Sequence, residues 1–212
     1  MPGVKILSIS DEVVPLIYST QIAARFGDVD LVLACGDLPY SYQEFIISSL
    51  HKPLCFVHGN HDPELEFGPG KPRAYPYGGV NLHRNTARVR GLLLAGVEGS
   101  IRYSRRSLYQ YTQNQMWGHV LRLVPGMLWN KVRRGRYLDI FISHAPPRGI
   151  HDGQDYAHQG IAAFRWLLET FQPRFHFHGH IHHYHPDAIT ETQLGKTTVI
   201  NTFRYRVTRF MR

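Results

Sequence analysis

Five short apolar runs in this chain each stop at an acid, an amide or a histidine. The run at 4–10 stops at Asp11, and that at 30–35 stops at Gly36-Asp37. The run at 53–57 leads into Gly59-Asn60-His61-Asp62 and is closed by Pro63. Residues 137–143 stop at His144-Ala145-Pro146-Pro147, and 175–178 stop at Gly179-His180-Ile181-His182. Short apolar runs with such boundaries read as buried strands. Between the first three lie helical patterns. Leu16, Ile17, Ile22, Ala23 and Phe26 give a helix from about 15 to 26 an apolar face, with Pro15 in its first turn. Phe45, Ile46 and Leu50 do the same for 41–50. Strand–helix–strand–helix–strand predicts a parallel sheet with helical crossovers. Open α/β sheets bind ligands beyond the carboxyl ends of their strands. One strand-end carboxylate is ordinary turn chemistry; three polar ends in succession are harder to dismiss.

The rest of the chain extends this pattern. Residues 64–79 are rich in Pro and Gly and read as a loop over the strand ends. Strand character resumes at 88–97, a helix is expected at 160–171, and residues 197–202 and 203–211 alternate as strands. Residues 102–136 stand apart, dense in Arg, Tyr and Gln, with Trp117 and Trp129. They predict a helical basic insertion, broken at Pro125-Gly126, with a second helix at 127–133. At 212 residues, one domain spanning 1–212 is expected. Cys35 and Cys55 lie inside apolar runs and read as reduced thiols of a cytoplasmic protein. No apolar stretch approaches the ~20 residues of a membrane helix, so no membrane partner is expected.

The formal charge of +8 suits an anionic partner, such as a phosphate ester or nucleic acid. The 14 histidines are the compositional oddity. Several sit at strand ends beside the carboxylates. Mixed imidazole and oxygen donors suit Mn, Fe or Zn better than the all-oxygen cages of Mg or Ca.

The ordered series Asp11, Gly36-Asp37, Gly59-Asn60-His61-Asp62, Ser143-His144-Ala145-Pro146-Pro147 and Gly179-His180-Ile181-His182 resembles the calcineurin-like metallophosphoesterase superfamily. The resemblance implies a four-layer α/β/β/α sandwich of the metallophosphoesterase type around two divalent transition metal ions, Mn first and Fe or Zn next. It implies hydrolysis of a phosphomonoester or phosphodiester by a metal-bound hydroxide. Carried over residue by residue, Asp37 bridges the two metals. Asn60, His144 and His180 complete one site, and Asp11 and His182 serve the other. His61 protonates the leaving alkoxide, and Asp62 orients His61. The family's first motif is Asp, any residue, His; here it is Asp11-Glu12-Val13. Valine cannot ligate, so the first site loses an imidazole; the change is compatible with a harmless replacement, a lower-affinity first site or lost activity. Glu12 is a poor replacement, because alternate residues of a strand face opposite ways.

His58, Arg148, His151 and His158 lie beside these motifs and are candidates for contact with substrate phosphate. Two other readings stay open. Val13 allows a degenerate member that keeps the fold as a binding or scaffold module. The charge and the segment 102–136 allow a protein that binds or processes nucleic acid, since Arg near aromatic rings can stack on bases. The same segment could join two copies into a homo-oligomer through an apolar helix face.

Overall fold

The computed structural model describes residues 3–68, 71–104, 108–185 and 187–211. Alternation along the first strand sets the architecture. β1 (Val4–Ser10) sends Val4 and Ile6 into one core and Leu7 and Ile9 into another. Side chains of a strand point alternately to its two faces, so the sheet containing β1 is covered on both sides.

That sheet has the order β13-β1-β2-β3-β4. β2 (Leu31–Ala34), β3 (Leu54–Phe56) and β4 (Val80–Asn81) continue β1 in parallel, and β13 (Arg204–Phe210) pairs with it antiparallel. The second sheet has the order β11-β12-β10-β9-β6-β5. β6 (Leu92–Val97), β9 (Ile140–Ser143), β10 (Phe175–His178) and β12 (Thr197–Asn201) run parallel in it. β5 (Asn85–Val89) and β11 (Glu191–Leu194) flank them antiparallel. A small ladder joins β7 (Ser100–Ile101) to β8 (Gln110–Tyr111).

Three buried clusters separate four layers. Ile6, Leu33, Cys55, Leu94, Ile142 and Phe177 pack between the two sheets. α1 (Ile22–Phe26) and α2 (Tyr40–Leu50) cover the outer face of the first sheet through Phe26, Tyr42 and Ile46. α3 (Gln113–Arg134) and α4 (Ala162–Phe171) cover the second through Val120, Leu123, Phe164 and Leu167. Both cysteines are free and buried, and burial pushes the Cys55 thiol up to about 12. Among the described residues, no helix is long and apolar enough to cross a membrane.

Three expectations need correction. The helix expected at 15–26 forms only over Ile22–Phe26. Ahead of it the chain makes turns, with the Ser19 hydroxyl donating to the Leu16 carbonyl, a local bond that competes with the helical ladder. The strand expected at 88–97 is a hairpin of β5 and β6. Arg90 and Gly91 take φ of 52° and 80° at its tip, the left-handed pair that a tight hairpin demands. Finally, α3 runs unbroken through Pro125. Met116, Val120, Leu123 and Met127 form one buried stripe across it. Burying four such side chains contributes about 1.5–3 kcal/mol each, which exceeds the cost of about 3 kcal/mol for one helical proline. The outer face of α3 keeps Leu121, Leu128, Trp129 and Val132 exposed. Residues 105–107 of the segment 102–136 lie outside the described residues.

The loop at 64–79 is pinned to α2. Ser41 donates its backbone N–H to Glu66 at 3.0 Å, and Arg73 pairs with Glu44. A carboxylate at a helix N-terminus satisfies orphan N–H groups and complements the dipole.

Candidate metal centre

The parallel strands of both sheets end at one edge of the molecule, and there the backbone leaves the ordinary regions. Asp11, Asp37 and His180 take φ of 68°, 56° and 69°. Such residues cost energy that the surroundings must offset, and they cluster at functional sites. The glycines beside them make close approach possible. A Cβ at Gly59 would run into Asp37, and one at Gly179 into Ser10 and Asp11.

The carboxylates and imidazoles converge. Ligand atoms of Asp11, Asp37 and His144 all lie within 4.8 Å of one another. Asp37 Oδ2 is 3.3 Å from His144 Nε2, and its Oδ1 accepts the His61 backbone N–H at 2.8 Å. His144 Nε2 is also 3.0 Å from Asn60 Oδ1. The other ring nitrogen, Nδ1, lies 2.8 Å from the Cys35 carbonyl, which can only accept. Nδ1 therefore carries a proton, and Nε2 is the atom turned to the centre. Asn60 is oriented likewise: its Nδ2 donates to the Tyr103 hydroxyl at 3.0 Å, leaving Oδ1 to face inward. Its amide adds an oxygen donor without adding charge.

His180 and His182 close the cluster. The His180 backbone N–H donates to Asp11 at 3.0 Å, and its Nε2 donates to the Ala157 carbonyl at 3.0 Å, so Nδ1 keeps the lone pair. The His144 and His180 rings meet at 4.9 Å. His182 Nε2 is 3.4 Å from Asp11 Oδ1, and its ring stacks on Phe203. Asp11 also accepts from the Ser10 hydroxyl.

Charges follow from these contacts. Burial opposes a charge on either partner of the Asp37–His144 pair, yet each holds the other ionised: His144 is raised and Asp37 lowered. Burial, with His144 nearby, pulls His180 down to about 4. His182 is raised, first by its bond to Asp11. The donor set fits a divalent cation. Oxygens of Asp37 and Asn60 surround the one His144 nitrogen that a cation could engage in place of a proton.

The remaining expected residues are placed less uniformly. Asp62 is buried and its oxygens are taken by backbone: Leu38 N–H at 3.0 Å and Gly59 N–H at 2.8 Å. It ties two strand-end loops together, where an orienting bond to the His61 ring was expected. Burial and the nearby Asp37 charge push its carboxyl up to about 7. The exposed His61 ring instead has its Nε2 3.4 Å from the Tyr103 hydroxyl. His58 is not a surface phosphate ligand. It is buried, stacked on Tyr109 at 4.5 Å, with Nδ1 3.0 Å from Glu98. His151 is held between His178 and Thr192, each at 2.9 Å. Its imidazole is pulled down to about 4 by burial, so it is a poor anion ligand at neutral pH. His158 is bonded to Asp155 and lies against the His180 ring at 5.2 Å. Arg148 is exposed on a loop and accepts from Arg165 through its carbonyl. Glu12 turns away and pairs with Arg204 at 2.8 Å.

Two residues escaped the sequence reading. Glu98 follows β6 directly, so it carried the same strand-end signal as the others. It receives His58, His83 and Tyr111. Tyr103 carried no signal: it lies 43 residues from Asn60 in a segment marked only by its composition.

Residues 10–184 match the family model of the calcineurin-like phosphoesterases, and the chain belongs to that family. Among solved structures it is similar to TT1561 of Thermus thermophilus, at 18% identity with a TM-score of 0.62, over 98% of this chain and 99% of that one. That likeness is one of fold alone. A looser match is Vacuolar Protein Sorting 29 from Cryptosporidium parvum, at 11% identity and a TM-score of 0.46, over 96% of this chain and 76% of that one. No curated protein matches the sequence.

Proposed function

We propose that this chain hydrolyses phosphate esters, with divalent transition metal ions held by Asp11, Asp37, Asn60, His144, His180 and His182. The observation that carries this reading is the convergence of Asp11, Asp37 and His144 at the strand ends, with Asp11 and Asp37 both held at positive φ. Bound cations would acidify a water and offset the charge of the phosphoryl oxygens. Asp37 stands between the two groups of donors. His144 is fixed in one tautomer by the Cys35 carbonyl, so no reorganisation is needed when it ligates. His61, exposed beside Asp37, would serve as the acid that protonates a leaving alkoxide. Tyr103 steadies it, and Asp62 acts indirectly by holding the loops of Asp37 and Gly59 in register.

A binding module that keeps the fold without turnover is the second reading. It is favoured by Val13, which is 38% exposed where the family pattern has a histidine. One experiment separates the two. Hydrolysis of an aryl phosphomonoester and an aryl phosphodiester is measured with added Mn against Asp37→Ala. Turnover that vanishes in the variant supports the esterase. No turnover with Mn, Fe or Zn, despite stoichiometric metal binding, leaves the binding module.

A further inference from the structure

At the opposite pole of the same sheets lies a cavity of about 680 Å³. Its position follows from the topology. Leu92 opens β6, Asp139 precedes β9, Arg174 precedes β10 and Lys196 precedes β12, and these four strands run parallel. The cavity therefore sits at their amino ends, whereas the metal cluster lies beyond their carboxyl ends. Phe210 and Met211, where β13 meets the start of β1, complete one wall.

The lining mixes cationic and apolar side chains. Arg88, Arg136, Arg174 and Lys196 contribute positive charge. Among the described residues lining it, Asp139 is the one carboxylate, and it is already engaged. It accepts from Arg136 at 2.7 Å and from the Leu93 N–H at 2.8 Å. The cavity is thus left with the surplus of Arg88, Arg174 and Lys196. The Arg174 guanidinium lies over the Phe210 ring at 5.5 Å, a cation–π contact. Arg136 is fixed by a second bond, to the Gly91 carbonyl at 3.1 Å. Met211, more than half exposed, supplies apolar surface beside these cations, over the buried Leu92 and Leu138.

The volume falls in the range of small-molecule sites. Guanidinium forks match phosphate oxygens two at a time. An apolar wall beside them suits the planar part of a nucleotide. The geometry points to a second ligand site, separate from the metal cluster, that binds a nucleoside diphosphate. This site stands whether or not the metal cluster is a phosphoesterase, because it uses none of that cluster's residues.

Calorimetric titration with ADP in EDTA at about 50 mM salt tests it. Chelation keeps the metal cluster out of the measurement. Wild type is expected to bind with a Kd on the order of 10–100 µM. Arg88→Glu combined with Lys196→Glu should weaken binding at least about tenfold, while Asp37→Asn leaves it unchanged. Arg122→Glu combined with Arg133→Glu reverses the same number of charges on α3, at residues that do not line the cavity, and should change Kd less than about twofold. Melting curves confirm that each variant folds. The site is overturned by absent binding at about 1 mM ADP, a hundredfold above the lower expected Kd. It is equally overturned if Asp37→Asn abolishes binding, or if the α3 pair weakens it as much as the cavity pair.

Discussion

The two halves of the metal cluster are built differently. On one side Asn60, His144 and His180 are each less than a tenth exposed, and each is oriented by a further bond: to Tyr103, to the Cys35 carbonyl and to the Ala157 carbonyl. On the other side the Asp11 side chain is enclosed, the His182 side chain is 43% exposed, and Val13 offers no donor atom. Outer bonds that fix a ligand's tautomer and rotamer raise its affinity for metal about 10–100-fold. The closed half is therefore the more enclosed of the two; in the open half the His182 ring is also held, by Phe203 and by the Tyr184 hydroxyl at 3.3 Å, but stands in solvent. The difference teaches that ligand identity alone does not set the strength of a site; the groups behind the ligands do.

The largest effect is expected where the halves meet. Asp37→Asn should lower phosphoesterase turnover by about 1,000-fold or more and reduce bound metal, read by elemental analysis beside the assay. Retained metal with retained turnover would refute the bridging role. His144→Ala should cost the closed half its metal, whereas His182→Ala should weaken metal binding only about 10–100-fold. Equal losses in the two variants would erase the contrast between the halves. Val13→His restores an imidazole to the open half and should tighten its metal by about tenfold, seen as a lower Mn concentration at half-maximal activity. No change would mean that openness, and not the missing ligand, limits that half.

A subtler effect concerns what the closed half stands on. Buried His176 lies 2.8 Å from Ser143, just before His144. Burial, and then His151, pull its imidazole down to about 3. The unfolded chain takes up this proton near pH 6.5, so the stabilisation is complete above that pH and is lost as pH falls toward 3. Between pH 7 and 4.5 this group alone should remove about 2–3 kcal/mol. Urea unfolding of His176→Phe should show that portion of the pH slope gone. An unaltered slope would place the acid sensitivity elsewhere, in His83 or His151.

Legibility in the sequence followed the same division. The five strand ends were readable because apolar runs must stop where the backbone meets polar ligands. Asp11, Asp37, Asn60, His144, His180 and His182 were all found at such ends, and the structure brings them together. What failed was inference from adjacency. His58 is next to Gly59 yet faces Glu98 and packs on Tyr109, away from the cluster of ligands. Asp62 is next to His61 yet bonds backbone from another loop. Tyr103 reaches the cluster from a distant segment, and no periodic pattern encodes such a contact. Pro125 misled for another reason: a local rule was outweighed by a buried stripe that spans the whole of α3.

The bonds from the His180 backbone to Asp11 span 169 residues, and β1 pairs along its whole length with β13. Contacts so distant in sequence form only after most loop-closure entropy has been spent, which makes folding slow. The cluster is therefore expected to mature late on the folding route. Cations present during refolding should leave the early rates untouched and slow the first step of unfolding instead.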